Sequence, residues 1–201
     1  MNNVSYEEFR ADMLQGERQE DAAAAAMAAA MATAATATAA ATTVKARFVN
    51  KPDADIFASG CDWLVNPVNC VGISGVLAGA FAKRYPMMEA VYWHGCKWSL
   101  VHLGAPQPYY APNNREPNVV LFPTMYRPGS ASNLRDITAG LEALRAKAAA
   151  WGLTSIAFPG LGCGVGGLRW TDVEAEIRRI LAPLDLDVEL YGPESAALPA
   201  E

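Results

Sequence analysis

The stretch "LVNPVNCVGISG", Leu64–Gly75, decides how the rest of the chain is read. It begins, with Trp63 in front, as a short apolar strand without polar alternation, the pattern of a strand covered on both faces. Carboxamides then stand at Asn66 and Asn69, where such a strand should end, and a glycine turn follows with Gly72 and Gly75 around Ser74. A glycine-rich strand-to-helix turn lets successive backbone N–H groups point outward. Together with the positive end of the next helix, those donors make a place for phosphate oxygens. A carboxamide adds a donor and an acceptor for sugar hydroxyls without adding charge.

Outward from this stretch, strands and helices alternate. "TVKARFVN" alternates as a strand, "DIFAS" leads to a turn at Gly60, and "DWLVNPVN" is the next strand. Leu77, Phe81 and Tyr85 recur at helical spacing, and Pro86 is expected to stop that helix. "WSLVHLGA" and "NVVLFPT" are predicted strands, joined through the turn "PQPYYAPNNREP". In "SNLRDITAGLEALRAKAAAWG", Ile137, Leu141, Leu144, Ala148 and Trp151 line one helical face, with Ser132 or Asn133 as cap and Gly152 as stop. "TSIAF" is a strand, "TDVEAEIRRILAPL" a helix with a capping box from Thr171 to Glu174, and "DVELYG" the closing strand. This order argues for an α/β fold whose mostly parallel sheet carries helices on both sides.

The composition sets limits. The chain has 201 residues and a formal net charge of −5, so no general field draws nucleic-acid phosphates and any such contact is local. Composition shifts near residue 43: a charged segment and then an alanine tract precede the alternating pattern. Alanine favours helix, but an all-alanine face buries little area. Residues 1–43 are therefore expected to be a partly helical or disordered extension, 44–193 the domain, and 194–201 a flexible tail. Cys61, Cys70, Cys96 and Cys163 form no C-x-x-C pair, and only His94 and His102 accompany them, which argues against a zinc site. Buried reduced thiols, no secretory signal and no apolar run fit to span a bilayer point to a cytoplasmic protein without membrane contact.

"GLGCGVGG" after "SIAF" repeats the device of the opening stretch. Ligands of open α/β sheets sit beyond the carboxyl ends of the strands, so two such loops suit one ligand with two linked phosphates and a group at each end. Gly162, Gly164 and Gly167 also fit G-x-G-x-x-G, with Asp185 and Asp187 near the place of a ribose-binding acid. A dinucleotide fold needs further β-α-β units there, whereas one strand follows. No G-x-x-x-x-G-K-[ST] is present, which excludes a P-loop.

Taken together, "ADIFASGCDWLVNPVNCVGISG…FAKRYP", "VVLFPT" and "SIAFPGLGCGVGGLRWTDVEAEI" resemble the macrodomain family. The chain looks like the branch holding bacterial antitoxins that remove ADP-ribose from DNA and the terminal ADP-ribose glycohydrolases. The resemblance covers Val44 to about Tyr191 and implies a three-layer α/β/α sandwich with ADP-ribose as ligand or product and no cofactor or metal. Carried over by position, Asp55 would accept from the adenine amino group with Ile56 beside it. Asn66 would support the site, and Asn69 would reach the distal ribose. Val71, Gly72, Ile73, Ser74, Gly75 and Val76 would wrap the distal phosphate and ribose. Leu161, Gly162, Cys163, Gly164, Val165, Gly166 and Gly167 would cradle the diphosphate, above a floor of Phe122, Pro123 and Thr124.

The catalytic groups of related hydrolases are not matched. Val76 stands where the antitoxin-like branch carries a lysine, in a loop one residue shorter, and Gly166 where the terminal glycohydrolases carry an acid. Leu77 is nearest to the place of the acid found in a deacetylase-like branch. Lys83 is the nearest lysine, a candidate charge stabiliser or else a solvated residue near the helix end. Asn69 could orient a water with the help of the ligand's own phosphate, and Cys70 and Arg127 are weaker candidates. Two functions follow from the resemblance. One is hydrolysis of ADP-ribose from protein or nucleic acid, or of a derivative such as its phosphate or acetyl ester. The other is a module that binds ADP-ribose without chemistry.

Overall fold

The structure is a computed structural model and describes residues 45–113 and 115–193. The expected extension, Val44 and the expected tail lie outside the described residues.

Six strands form one sheet in the order β1-β6-β5-β2-β4-β3. They are β1 (Arg47–Asn50), β2 (Trp63–Asn69), β3 (Gln107–Tyr109), β4 (Asn118–Met125), β5 (Ser155–Pro159) and β6 (Asp187–Tyr191). Every pairing is parallel except β3 with β4. The helices are α1 (Val76–Arg84), α2 (Pro86–Lys97), α3 (Leu134–Lys147) and α4 (Trp170–Leu181), with a 3-10 turn at Ile56–Ala58.

Strand alternation assigns the faces. Leu64 and Val68 of β2, Val119 and Leu121 of β4 and Ala157 of β5 share a core with Phe81 of α1 and with Met88 and Tyr92 of α2. The intervening Phe122 faces the other way, toward α3: a Cβ added at Gly140 would stand 2.5 Å from its ring. Ile137, Leu141 and Leu144 of α3 and Val173, Ile177 and Ile180 of α4 are buried, as their helical spacing demands. The architecture is the expected α/β sandwich with a mostly parallel mixed sheet. β2, β4 and β5 are therefore co-directional, and the segments after them leave at the same sheet edge.

Local details differ from the sequence-based expectation. "WSLVHLGA" is not a strand, because Ser99 (φ 56) and Gly104 (φ 75) take left-handed backbone conformations that break extension. Its first residues cap α2, with Trp98 N–H donating to His94 O and Leu100 N–H to Gly95 O. The edge strand β3 lies instead within "PQPYYAPNNREP". Pro86 does not simply end a helix; it occupies the first turn of α2, where its missing N–H costs nothing. Asn133, not Ser132, caps α3, its side chain accepting from Arg135 N–H at 2.9 Å. The helix stops at Lys147, short of Trp151. α4 begins at Trp170 with Arg169 as cap, ahead of the expected capping box. The Trp170 ring fills the space above Gly192, where a Cβ would lie 1.9 Å from it, and this anchors the earlier start.

Candidate functional site

The carboxyl ends of β2 and β4 open into a cleft of about 200 Å³. Pro67, Val68 and Asn69 of β2 and Thr124 and Met125 of β4 line it, with Ile73, Ser74 and Gly75 of the first glycine loop. Ala78 of α1, Pro128 and Gly129 after β4, and Val165 of the second glycine loop complete the wall. The two loops thus face one space. None of the lining residues has a titratable side chain.

Asn69 organises the first loop. Its Oδ1 accepts from Val71 N–H (3.0 Å) and Ile73 N–H (3.4 Å), and its Nδ2 donates to Ile73 O. The Tyr92 hydroxyl lies 3.0 Å from Oδ1 and 2.9 Å from Asn69 O, and accepts from Asn69 N–H at 3.2 Å. Burial pushes the Tyr92 phenol far up, so it stays a neutral donor. A register shift between Val68 and Asn69 accounts for this pairing: the irregularity turns Asn69 toward α2, the side that alternation would deny it. One N–H of the carboxamide is spent on Ile73 O, and the second donates to none of the hydrogen bonds found among the described residues.

At the helix entrance, Gly75 caps α1 without a side-chain hydrogen bond, and the first backbone bond into the helix is Gly79 N–H to Gly75 O. The N–H groups of its first turn therefore face outward. In the second loop, Cys163, Gly167 and Leu168 donate to Gly160, Gly164 and Gly162 carbonyls, which folds the turn. Gly164 and Val165 are exposed, and with Gly166 they donate to none of the hydrogen bonds found among the described residues. The Gly166 carbonyl accepts from Ser132 N–H at 2.9 Å, and a Cβ on Gly166 would lie 2.1 Å from Ser132 Oγ and 2.6 Å from Gly162 O. Only glycine fits there. Gly162 (φ 69) and Gly167 (φ 76) supply the left-handed corners.

Of the side chains singled out in the sequence, those of Asn69, Ile73, Ser74, Thr124 and Val165 meet at the cleft, joined by the Gly75 backbone. Leu161 is fully buried scaffold, and Cys163 packs against Gly160. Val71 and Gly72 form the outer turn, Gly72 lying against Trp93 and Cys96. Asp55 caps the 3-10 turn, accepting from Phe57 N–H at 2.9 Å, and stays exposed. Ile56 is 4% exposed, so it offers a ligand backbone rather than side chain. Asn66 lies inside the core with its Nδ2 3.9 Å from Met88 Sδ, away from the cleft. Pro123 is buried beside Val68 of β2, and Phe122 lies under α3 rather than in any floor.

Val76 is 97% exposed at the start of α1. Lys83, in the last turn of the same helix, is exposed and does not reach the cleft. Burial pushes the Cys70 thiol up and the Cys163 thiol up to about 11, so neither supplies a thiolate at neutral pH. Among the described residues no group of His, Cys, Asp and Glu could hold a metal ion, and no helix is long and apolar enough to cross a membrane.

Sequence reasoning missed Pro67, Val68, Ala78, Met125, Pro128 and Gly129 on the wall, and Tyr92 and Glu89 behind it. Glu89 Oε1 accepts from Ser74 Oγ at 2.8 Å. Met88, Tyr92 and Gly95 at helical spacing after a proline were the available signal for α2.

A profile of the Macro domain family matches residues 65–177, more than half of the chain. The chain belongs to the Macro domain family. This macrodomain is 34% identical, over 71% of its length, to the DNA ADP-ribosyl glycohydrolase of Mycobacterium tuberculosis. It spans 42% of that relative. The solved macrodomain of Mycobacterium tuberculosis DarG superposes with a TM-score of 0.68 at 31% identity, covering 74% of this chain and 99% of that one. Thermosipho africanus DarTG in complex with ADP-ribose gives 0.68 at 28% identity, covering 75% of this chain and 43% of that one.

Proposed function

We propose that this macrodomain binds ADP-ribose across the two glycine loops and hydrolyses it from DNA. The observation that carries the reading is the convergence of Ile73–Gly75 and Val165 on one cleft, with backbone amides on both sides that none of the hydrogen bonds found among the described residues uses. The N–H groups at the start of α1 and at Gly164 and Val165, which are donors in none of the hydrogen bonds found among the described residues, suit the two phosphates. The cleft takes the distal ribose, with the free Asn69 N–H toward its hydroxyls. The adenosine end lies outside the cleft, where the exposed Asp55 carboxylate accepts from the adenine amino group. The relatives named DNA ADP-ribosyl glycohydrolases support DNA as the modified macromolecule. Residues 44–193 form the ligand-binding unit, 1–43 an extension and 194–201 a tail, in a cytoplasmic protein.

Hydrolysis at the anomeric carbon needs an oriented water and stabilisation of oxocarbenium-like charge. Asn69 and the ligand's own phosphate supply the orientation. A purely binding role is the second reading, favoured by Val76 and Gly166 where related hydrolases carry a lysine and an acid. The assay incubates the full chain with an ADP-ribosylated single-stranded oligodeoxynucleotide and follows released ADP-ribose. ADP-ribosylated protein, ADP-ribose phosphate and acetyl-ADP-ribose serve as comparison substrates. Release from the oligonucleotide alone is the expected result. Saturable binding with no release from any substrate selects the binding module, and absence of binding rejects both readings.

A further inference from the structure

The cleft has three polar side chains, Asn69, Ser74 and Thr124, and they are not equivalent. The Asn69 carboxamide is largely spent on its own loop, and Thr124 Oγ1 faces Val68 O at 3.4 Å. Ser74 is different because its hydroxyl donates outward to a carboxylate, Glu89 Oε1, at 2.8 Å. With its hydrogen committed to Glu89, the hydroxyl turns lone pairs toward the cleft and acts there as an acceptor. Glu89 itself is half-buried in the first turn of α2, and its Oε2 is buried without a hydrogen-bond donor among the described residues. A buried carboxylate oxygen without a donor carries a cost that calls for an explanation, and a catalytic role is one.

Resting on the hydrolytic reading above, the geometry points to Ser74 and Glu89 as a proton relay that activates the attacking water in place of the unmatched lysine and acid. Ser74 touches the water, and Glu89 positions and drives it through Ser74. The water oxygen adds to the anomeric carbon of the distal ribose while the bond from that carbon to the nucleic acid breaks, its electron pair leaving with the nucleic-acid atom. The water's proton passes to Ser74 Oγ as Ser74's own proton passes to Glu89 Oε1. The carboxylic acid so formed returns that proton to the leaving atom or to solvent. One water is consumed, one hydroxyl is made on the sugar, and both residues regain their starting state.

Glu89→Gln separates this role from a structural one, because the amide oxygen still accepts from Ser74 but cannot take up its proton. In the full chain, release of ADP-ribose from the modified oligodeoxynucleotide is measured alongside the affinity for free ADP-ribose and the melting temperature. E89Q is expected to lower kcat about 100-fold or more, the scale of general acid–base catalysis, with KM and ADP-ribose affinity within about threefold of the parent. Ser74→Ala, a smaller change, gives the same loss of kcat should E89Q fold poorly. A kcat near the parent value in either folded variant overturns the relay, as does a loss of binding that matches the loss of rate. An inactive parent sinks the hydrolytic reading and the relay with it. An active parent with active variants sinks the relay alone.

Discussion

Gly166 is where one atom decides whether the second loop exists. A methyl group there would meet Ser132 Oγ and the Gly162 carbonyl, and the latter is backbone that cannot swing aside. Gly166→Ala is therefore expected to destabilise by about 1–3 kcal/mol, the range for overpacking, and to weaken ADP-ribose binding at least tenfold in calorimetry. Gly164→Ala is the control: nothing lies within 4 Å of its added methyl, so its melting temperature should match the parent's. Asn69→Ala removes the clasp on Val71, Ile73 and Tyr92 and leaves the loop amides without their acceptor, so both ADP-ribose affinity in calorimetry and the melting temperature should fall. Lys83→Ala should leave affinity and release rate unchanged, because the side chain stands in solvent at the far end of α1; a tenfold loss of rate would contradict its placement. At this scale the sequence exposed the glycines and asparagines but not their partners. Asn66 and Asn69 look alike in "NPVN", and alternation would put them on opposite faces; the bulge after Val68 turns Asn69 to the α2 side as well, where it holds the loop while Asn66 stays in the core. Ser132 could not be tied to Gly166 because 34 positions separate them and nothing local joins them.

Elements were legible where a period ran long enough to carry them. α3 and α4 declared themselves through Ile137, Leu141 and Leu144 and through Val173, Ile177 and Ile180. Short elements were not legible: β3 spans Gln107–Tyr109, too few residues to alternate, and α2 hid behind a proline that was read as a stop. The difference matters, since α2 carries both Tyr92 and Glu89. The α3 cap has a direct test. Asn133→Ala should cost about 1 kcal/mol in denaturant unfolding, the usual worth of such a cap, without altering ligand affinity. Leu141→Ala, at 0% exposure beneath the same helix, should cost about 2–5 kcal/mol. A smaller loss for Leu141 than for Asn133 would mean that packing on the sheet is not what holds α3.

Across the whole molecule, charge sets the terms of nucleic-acid contact. With a net charge of −5, affinity for unmodified single-stranded DNA should be weak and its salt dependence shallow, because few phosphates are neutralised. Under the proposed function, recognition then rests on the ADP-ribose group. The edge joining β1 to β6 adds a pH dependence. Desolvation pushes Glu189 up, but hydrogen bonds from Lys51, Tyr191 and Ser59 outweigh it and hold the carboxyl below its ordinary range. A carboxyl with a lowered folded-state value contributes stability above its unfolded value and loses it as pH falls through the folded one. Glu189→Gln should therefore flatten the acid limb of the parent's stability curve and leave the neutral region parallel to it. An unchanged acid limb would show that the Glu189 cluster adds nothing.

The fold class was visible from the alternation of strands and helices and from loop chemistry, and the family from its motifs. What the sequence could not supply was that the two loops close on one cleft, which is a property of three-dimensional closure. Calorimetric titration of the full chain with ADP-ribose tests that closure most directly. The expected result is saturable binding at one site per chain, weakened at least tenfold in Gly166→Ala. No saturable heat in the folded parent protein would contradict the claim that the two loops grip one diphosphate between them.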